Sequence, residues 1–340
     1  MKESKQKAAK LVKTLKTAVL AVLLMAGISA LGGLSCAPSR PARQSITYAM
    51  PITLTAVIPY VASEKGFWKE EGLDVKVQMF SAGRLALDAL LSKNAEVMSV
   101  SETPLVHAIV QGNKIFLVST VASHHEVKFL GRRDKHIATP EDLRGKAIAT
   151  LPGTNSDYFM YEFLKKHGIP VNAVKITNMS PPEMVTAFAN GAIDGYFAWE
   201  PHIYYGEQQL PGKTIVFGPG DLYHGWHSVA MNQDFVKAHP EVVQKLIRGF
   251  IKAEEYIHQN PEEAMTIVAK VTGVDKEAIR KLWPEMKPVL RLDKDLIDVM
   301  NQEGQWSLSL NPSATTTPKW RDFIYSDALD AVRPSSVNLN

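Results

Sequence analysis

From residue 46 onward, short apolar runs alternate with stretches of helical spacing. Residues 46–50 read as a strand, and a helix through 60–65 follows and stops at Gly66. Residues 67–71 add one turn closed by Gly72, and residues 73–80 alternate as a strand. Ser81 is then expected to cap a helix carrying Leu87, Leu90 and Leu91 on its inner side. A short strand over 96–100, a helix opened by Thr103-Pro104 and stopped at Gly112, and a buried strand over 115–121 complete the first unit. The plan then repeats. A short helix starts at Pro140, a strand covers 146–151, and Gly153-Thr154-Asn155-Ser156 leads into a helix pairing Phe159 with Phe163 and Met160 with Leu164. A strand over 174–178 precedes Ser180-Pro181-Pro182-Glu183, an N-cap with proline in the first turn and an acid three residues on. Gly191 closes that helix and a strand begins at 192–197. Beyond about Pro240 the pattern is helical, apart from a Pro/Ser/Thr-rich loop over 311–318. Strands alternating with helices in two successive units predict an α/β fold.

The first 36 residues stand outside that pattern. Six lysines, Lys2 to Lys16, precede an apolar run over 18–31 that is shorter than the ~20 residues of a membrane-spanning helix. A basic lead, an apolar run and a small-residue boundary describe a secretory signal peptide, with a single-pass anchor as the alternative. The only cysteine, Cys36, follows in Gly33-Leu34-Ser35-Cys36, and a lone exported cysteine has no internal partner. The position resembles a bacterial lipobox, although Leu34 stands two residues before the cysteine rather than three. Lipidation of Cys36 is expected; cleavage after Ala30 is the alternative. Residues 37–45 read as a tether.

This segment changes the charge balance. The whole chain carries 38 basic and 35 acidic residues, and removing residues 1–36 leaves 32 and 34, a net charge of −2. The basicity belongs to targeting, so nucleic-acid binding is not expected.

Three turns share one design: a strand ends, a small polar or glycine-containing turn follows, and a helix begins. They are Ser81-Ala82-Gly83-Arg84, Ser101-Glu102-Thr103-Pro104 and Pro152-Gly153-Thr154-Asn155-Ser156. Ligands of open α/β sheets bind beyond the carboxyl ends of strands, and unpaired N–H groups at helix starts favour anions. Turns of this kind in both units point to a shared cleft.

Longer segments carry a specific likeness. Lys65-Gly66-Phe67-Trp68-Lys69-Glu70-Glu71-Gly72-Leu73-Asp74-Val75, Ala89-Leu90-Leu91, Asp142-Leu143-Arg144-Gly145-Lys146, Gly153-Thr154 and Gly191-Ala192-Ile193-Asp194-Gly195-Tyr196-Phe197-Ala198-Trp199-Glu200-Pro201 occur in order. Over roughly residues 46–260 the chain resembles the substrate-binding proteins of ABC importers for nitrate, aliphatic sulfonates and taurine, a superfamily that includes binders of thiamine-pyrimidine precursors. The resemblance implies a two-lobed type II periplasmic-binding-protein fold with two crossover strands, at 126–131 and 227–231, and a helical C-terminal region. Lobe one would comprise 46–130 plus 230–340 and lobe two 131–229. It further implies a monomeric, extracytoplasmic, lipid-anchored binding protein that delivers a small polar ligand to a membrane permease and ATPase, with a lipid-anchored sensor as an alternative. No cofactor is expected.

The likeness places Ser81, Gly83, Ser101, Thr103, Gly153, Thr154, Ser156 and Trp199 at the ligand, with Asn155 in the same turn; Glu200 would hold its loop. The sequence adds its own candidates. Arg84 favours an anion and Glu102 an amine or heterocycle. His124-His125 and His224/His227 flank the expected crossovers, with His124 the first choice for the cleft. None of these shows a metal-ligand spacing such as H-E-x-x-H, so no metal is expected. A small oxyanion is the expected ligand. A pyrimidine-type heterocycle is the alternative, suggested by Trp199, Tyr60, Trp226 and Glu102. The synthases of the superfamily resemble cytosolic proteins with a cysteine-rich segment, and no G-x-S-x-G motif is present, so no catalysis is expected.

Overall fold

A computed structural model of the protein describes residues 44–310 and 316–339. The lead, Cys36, the tether up to residue 43 and loop residues 311–315 lie outside the described residues.

Two sheets carry the fold. The first has the order β2-β1-β3-β10-β4-β11. Its strands are β1 (Gln44–Pro51), β2 (Leu73–Phe80), β3 (Val97–Ser101), β4 (Ile115–His124), β10 (Gly225–Asn232) and β11 (Met286–Pro288). The second has the order β7-β6-β8-β5-β9. Its strands are β5 (Lys128–Arg132), β6 (Ala147–Thr150), β7 (Lys175–Asn178), β8 (Gly195–Ala198) and β9 (Thr214–Phe217). A short parallel pair, β12 (Leu292–Asp293) with β13 (Val337–Asn338), lies apart.

Both sheets follow one plan. The first strand of each unit has parallel neighbours on both sides, β2–β1–β3 and β7–β6–β8. Next comes an antiparallel strand joined directly to a connector from the other sheet, β10 beside β3 and β5 beside β8. The chain therefore changes sheet at residues 125–127 and 218–224. This moves the expected crossovers. Residues 128–131 are ladder partners of β8 and β9, and residues 227–231 lie between β3 and β4 inside the first sheet. The lobe boundaries expected after residues 130 and 229 shift accordingly. The reason is visible in β10: His227 and Ser228 are buried in mid-sheet, so a central strand reads as a polar connector.

The helices cover the sheets by periodicity. Phe129 and Phe197 point into a cluster with Phe159 and Phe163, while their neighbours Leu130 and Tyr196 point to the opposite face with Met184 and Phe188. That is the two-residue period of a strand buried on both sides. Helix Pro181–Asn190 begins with the expected capping box between Ser180 and Glu183 and ends at Gly191, whose φ of 82° suits a residue without a Cβ. In the first lobe, helix Pro240–Gln259 packs Phe250 against Tyr48 and Trp68. The last long helix, Lys294–Leu310, returns to the seam between lobes, where Trp306 stacks obliquely on Tyr158 with centroids 5.3 Å apart. Helix His202–Gln209 and β9 have no counterpart in the sequence reading.

Candidate functional site

The segments just beyond the C-terminal ends of β1, β2, β3, β6 and β8 converge on one cavity of about 40 Å³. From the first lobe come Pro51, Ile52 and Thr53 after β1, Ala82 to Arg84 after β2, Val100, Ser101 and Pro104 around the end of β3, and His227 from β10. The second lobe supplies Thr154, Asn155 and Trp199. One direct bond crosses the gap, from Asn155 Nδ2 to Ser101 Oγ at 3.1 Å. The three expected turns therefore share a cleft at the place where open α/β sheets take ligands.

The individual roles separate on inspection. Helix Gly83–Leu91 starts at Ala82 without a side-chain cap, and its first backbone bonds are donated by Leu85 and Ala86. The N–H groups of Gly83 and Arg84 thus stand ahead of the intrahelical ladder, where the helix dipole is positive. A Cβ on Gly83 would come within 2.3 Å of Val100 Cγ2, so glycine is what lets this turn lie on β3. Ser81, by contrast, is exposed and is not among the cavity-lining residues.

Most of the expected hydroxyls bond inside the protein. Thr154 Oγ1 donates to the Leu151 carbonyl at 2.6 Å and pairs with Ser156 Oγ at 2.9 Å. Thr103 Oγ1 donates to Glu303 Oε1 at 2.5 Å. Gly153 N–H donates to Asp157 Oδ2 at 2.9 Å. These groups shape the turns, and neither Thr103 nor Ser156 lines the cavity. Sequence alone does not reveal such internal bonding, because a hydroxyl that fixes a turn and one that meets a ligand occupy the same positions.

Glu102 is also turned away from the cavity. Its Oε1 accepts from Tyr223 at 2.5 Å and its Oε2 from the Trp226 N–H at 2.8 Å. Burial raises its pKa to about 7, against the opposing pull of those two donors. Glu303 is fully buried beside it. Burial, then the charge of Glu102, holds Glu303 well above the usual carboxylate range. Glu303 Oε2 has no donor of its own, and a proton on Glu303 turns the facing carboxyls into a hydrogen bond. Tyr60 and Trp226 also leave the ligand side. Tyr60 donates to the Pro51 carbonyl at 2.7 Å, and Trp226 is buried beneath the Arg291 guanidinium. Of the four residues that suggested a heterocycle, only Trp199 lines the cavity.

His124 is fully buried, with neither ring nitrogen bonded, and packs edge-on to Tyr223 rather than lining the cavity. Burial, reinforced by the three nearby histidines, keeps it neutral. The histidine that does reach the cavity is His227. It shares a 3.0 Å bond between Nδ1 and Thr55 Oγ1, while its Nε2 is unpartnered. Burial pushes its pKa down to about 3, so it offers a neutral nitrogen. His125 and His224 stack at 4.5 Å on the two connectors. Among the described residues, no group of three or more His, Cys, Asp or Glu side chains is placed to hold a metal ion. Glu200 holds its loop as expected, accepting from Lys128 Nζ at 2.9 Å and from the Tyr204 N–H at 3.0 Å.

The cavity lining carries one formal charge, Arg84, which makes no ion pair or hydrogen bond with any described residue. A cation, helix-start amides and no carboxylate on the wall favour an anionic group. Ile52 and Thr53 escape the sequence analysis, although residues 51–56 repeat the strand–turn–helix design of the other turns. His227 is among the sequence candidates but stands behind His124 there, because its strand is expected to be a crossover; the structure reverses that order.

Comparisons with known proteins agree with this architecture. The taurine-binding periplasmic protein of Escherichia coli is 28% identical over 225 residues, covering 62% of this chain and 68% of that protein. The periplasmic aliphatic sulphonate-binding protein SsuA of Escherichia coli superposes with a TM-score of 0.72 at 17% identity, covering 83% of this chain and 97% of that one. The desulfurization enzyme DszB superposes with a TM-score of 0.68 at 16% identity, covering 86% and 99%. The periplasmic-binding-protein fold therefore houses both binding and catalysis, and the site, not the fold, has to separate them. The family model described as NMT1/THI5 like matches residues 55–264, more than half of the chain. The chain belongs to the NMT1/THI5-like family.

Proposed function

We propose that the protein is the extracytoplasmic solute-binding component of an ABC importer and captures a small organic oxyanion, a sulfonate before nitrate, between its two lobes. The observation that carries this reading is the interlobe cavity, whose wall has, among the described residues, Arg84 as its one charged side chain, with no ion pair or hydrogen bond to any of them. The relatives named above support it by what they bind. Capture would act through closure: a solute held by both lobes favours the arrangement in which Asn155 and Ser101 meet, and a permease and ATPase would read that form. The protein would act as a monomer and without catalysis; the only cysteine is Cys36, outside the lobes, so they contain no thiol nucleophile.

A thermal-shift screen of the full chain with taurine, alkanesulfonates, nitrate and pyrimidines tests the ligand class. A sulfonate at a hundredfold excess over its Kd is expected to add about 2.7 kcal/mol of stability. If only neutral or cationic compounds raise the melting temperature, the oxyanion reading is wrong.

Export and anchoring follow from the basic lead and Cys36. The protein is expected in the membrane fraction and a Cys36→Ser variant in the soluble fraction; equal membrane retention of both would rule out a lipid anchor at this residue.

A further inference from the structure

His227 brings one uncommitted hydrogen-bonding atom to the cavity. The residue lines the wall and is buried, its Nδ1 is bound to Thr55 Oγ1 at 3.0 Å, and its Nε2 has no partner among the described residues. In the β10–β3 ladder it stands directly opposite Ser101, which places both side chains on the same face of the sheet. A neutral imidazole has one N–H and one lone pair, so Nε2 meets an anion either as a donor or as a repelling lone pair. The bond at Nδ1 decides between the two.

That bond leads to a carboxyl. Thr55 is buried in the turn before helix Val57–Glu64, and its hydroxyl pairs with Thr53 Oγ1 at 3.2 Å and with Glu126 on the connector between the sheets. A hydroxyl has one proton to give and two lone pairs to fill. With Glu126 ionised, Thr55 gives its proton to the carboxylate, Nδ1 keeps the ring proton, and Nε2 is a bare lone pair at the cavity. With Glu126 neutral, its O–H donates to Thr55, Thr55 donates to Nδ1, and the ring proton sits on Nε2.

The surroundings of Glu126 select the neutral form. It is 2% exposed, and its Oε2 has no donor among the described residues. Lys128, the cation of this cluster, bonds Glu200 and Glu285 instead. Tyr60, the remaining titratable neighbour, donates to the Pro51 carbonyl. Burial, then the charges of Glu200 and Glu285, holds the Glu126 carboxyl well above the usual carboxylate range, against opposing pulls from Lys128 and Thr55. We infer that His227 donates its Nε2–H to the captured oxyanion, and that Thr55, backed by Glu126, holds the ring in the tautomer that can do so. This deepens the solute-capture reading and rests on it. Thr55 and Glu126 are positioning residues, and Nε2–H joins Arg84 and the helix-start amides as a donor to the head group.

The experiment joins nitrogen NMR of the histidine rings in the full chain to calorimetric titration with ethanesulfonate and with nitrate. The His227 ring, assigned by its loss in His227→Gln, is expected as the Nε2–H tautomer in the parent. It should stay so in Glu126→Gln, whose amide N–H replaces the acid O–H toward Thr55, while an infrared band of a protonated carboxyl disappears in that variant. A Gln amide nitrogen falls near the place of Nε2 and an Asn amide nitrogen near that of Nδ1. His227→Gln is therefore expected to bind within about threefold of the parent and His227→Asn at least roughly tenfold more weakly. An Nδ1–H ring in the parent would overturn the assignment and leave the capture reading standing, as would equal affinities of the Gln and Asn variants. Failure of both anions to bind the parent would count against capture itself and remove this inference with it, whatever the tautomer.

Discussion

Glu102→Ala is expected to cost about 3 kcal/mol or more of folding stability, although Glu102 touches neither the cavity nor the surface. The carboxylate accepts the Tyr223 hydroxyl and the Trp226 N–H, and it faces Glu303 in a site shut off from water. Truncation leaves these groups without partners, at ~1–3 kcal/mol each for buried polar groups, and opens a void besides. The three segments tied here are the helix start beside the cavity, the return connector carrying Tyr223, and the C-terminal helix carrying Glu303 and Trp306. A lowered denaturation midpoint with an unchanged denaturant slope would express the loss. A change within about 0.5 kcal/mol, the ordinary range for surface positions, would contradict it.

The same pair makes stability fall with rising pH. Both carboxyls have raised pKa values in the folded protein, Glu102 to about 7 and Glu303 well above the usual carboxylate range, with burial the main cause. Between the unfolded carboxylate range, ~4.3, and neutrality the folded state therefore holds more protons than the unfolded state. Their contribution is fully present below the unfolded value and is lost as pH climbs through the folded values, by about 1.4 kcal/mol per unit for each group. Between pH 5 and 8 the decline should amount to a few kcal/mol. Glu303→Gln supplies an amide N–H toward Glu102 and keeps an acceptor for Thr103 without needing a proton. It is expected to remove most of the decline, and an undiminished slope in that variant would mean the pair does not share a proton.

How much was legible beforehand differs between fold and site. The α/β alternation, the strand at 73–80 and the Ser180/Glu183 box follow from local periodicity and capping, which act within a few residues. β10 escaped because its central position buries His227 and Ser228. No local pattern announces a polar side chain buried in mid-sheet: His227 Nδ1 meets Thr55 from 172 residues away, and Ser228 Oγ has no hydrogen-bond partner among the described residues. At the site, position was legible and role was not. Residues 82–84, 101 and 154–155 meet at the cavity. Thr103, Ser156 and Glu102 sit in the same turns but spend their polar atoms on Glu303, Thr154, Tyr223 and Trp226. Thr154 is two residues from Ser156, but Glu303, Tyr223 and Trp226 lie 121 to 200 residues from their partners in sequence, beyond the reach of any turn motif.

Arg84→Ala should have the largest effect on binding. Arg84 is exposed at the mouth of the cavity and makes no ion pair or hydrogen bond with any described residue, so its loss should leave folding nearly unchanged. A charge-assisted hydrogen bond to an anion is worth about 1.5–3 kcal/mol, or roughly a 10- to 150-fold loss of affinity on truncation. The remaining binding should come from helix-start amides and Asn155, and raising the salt concentration should weaken the parent more than the variant. The most direct measurement is a calorimetric titration of parent and Arg84→Ala with the sulfonate that stabilises the parent best. The expected result is tight binding by the parent and at least tenfold weaker binding by a variant with the same melting temperature. Equal affinities for the two would show that the anion is held somewhere other than the gap between the lobes.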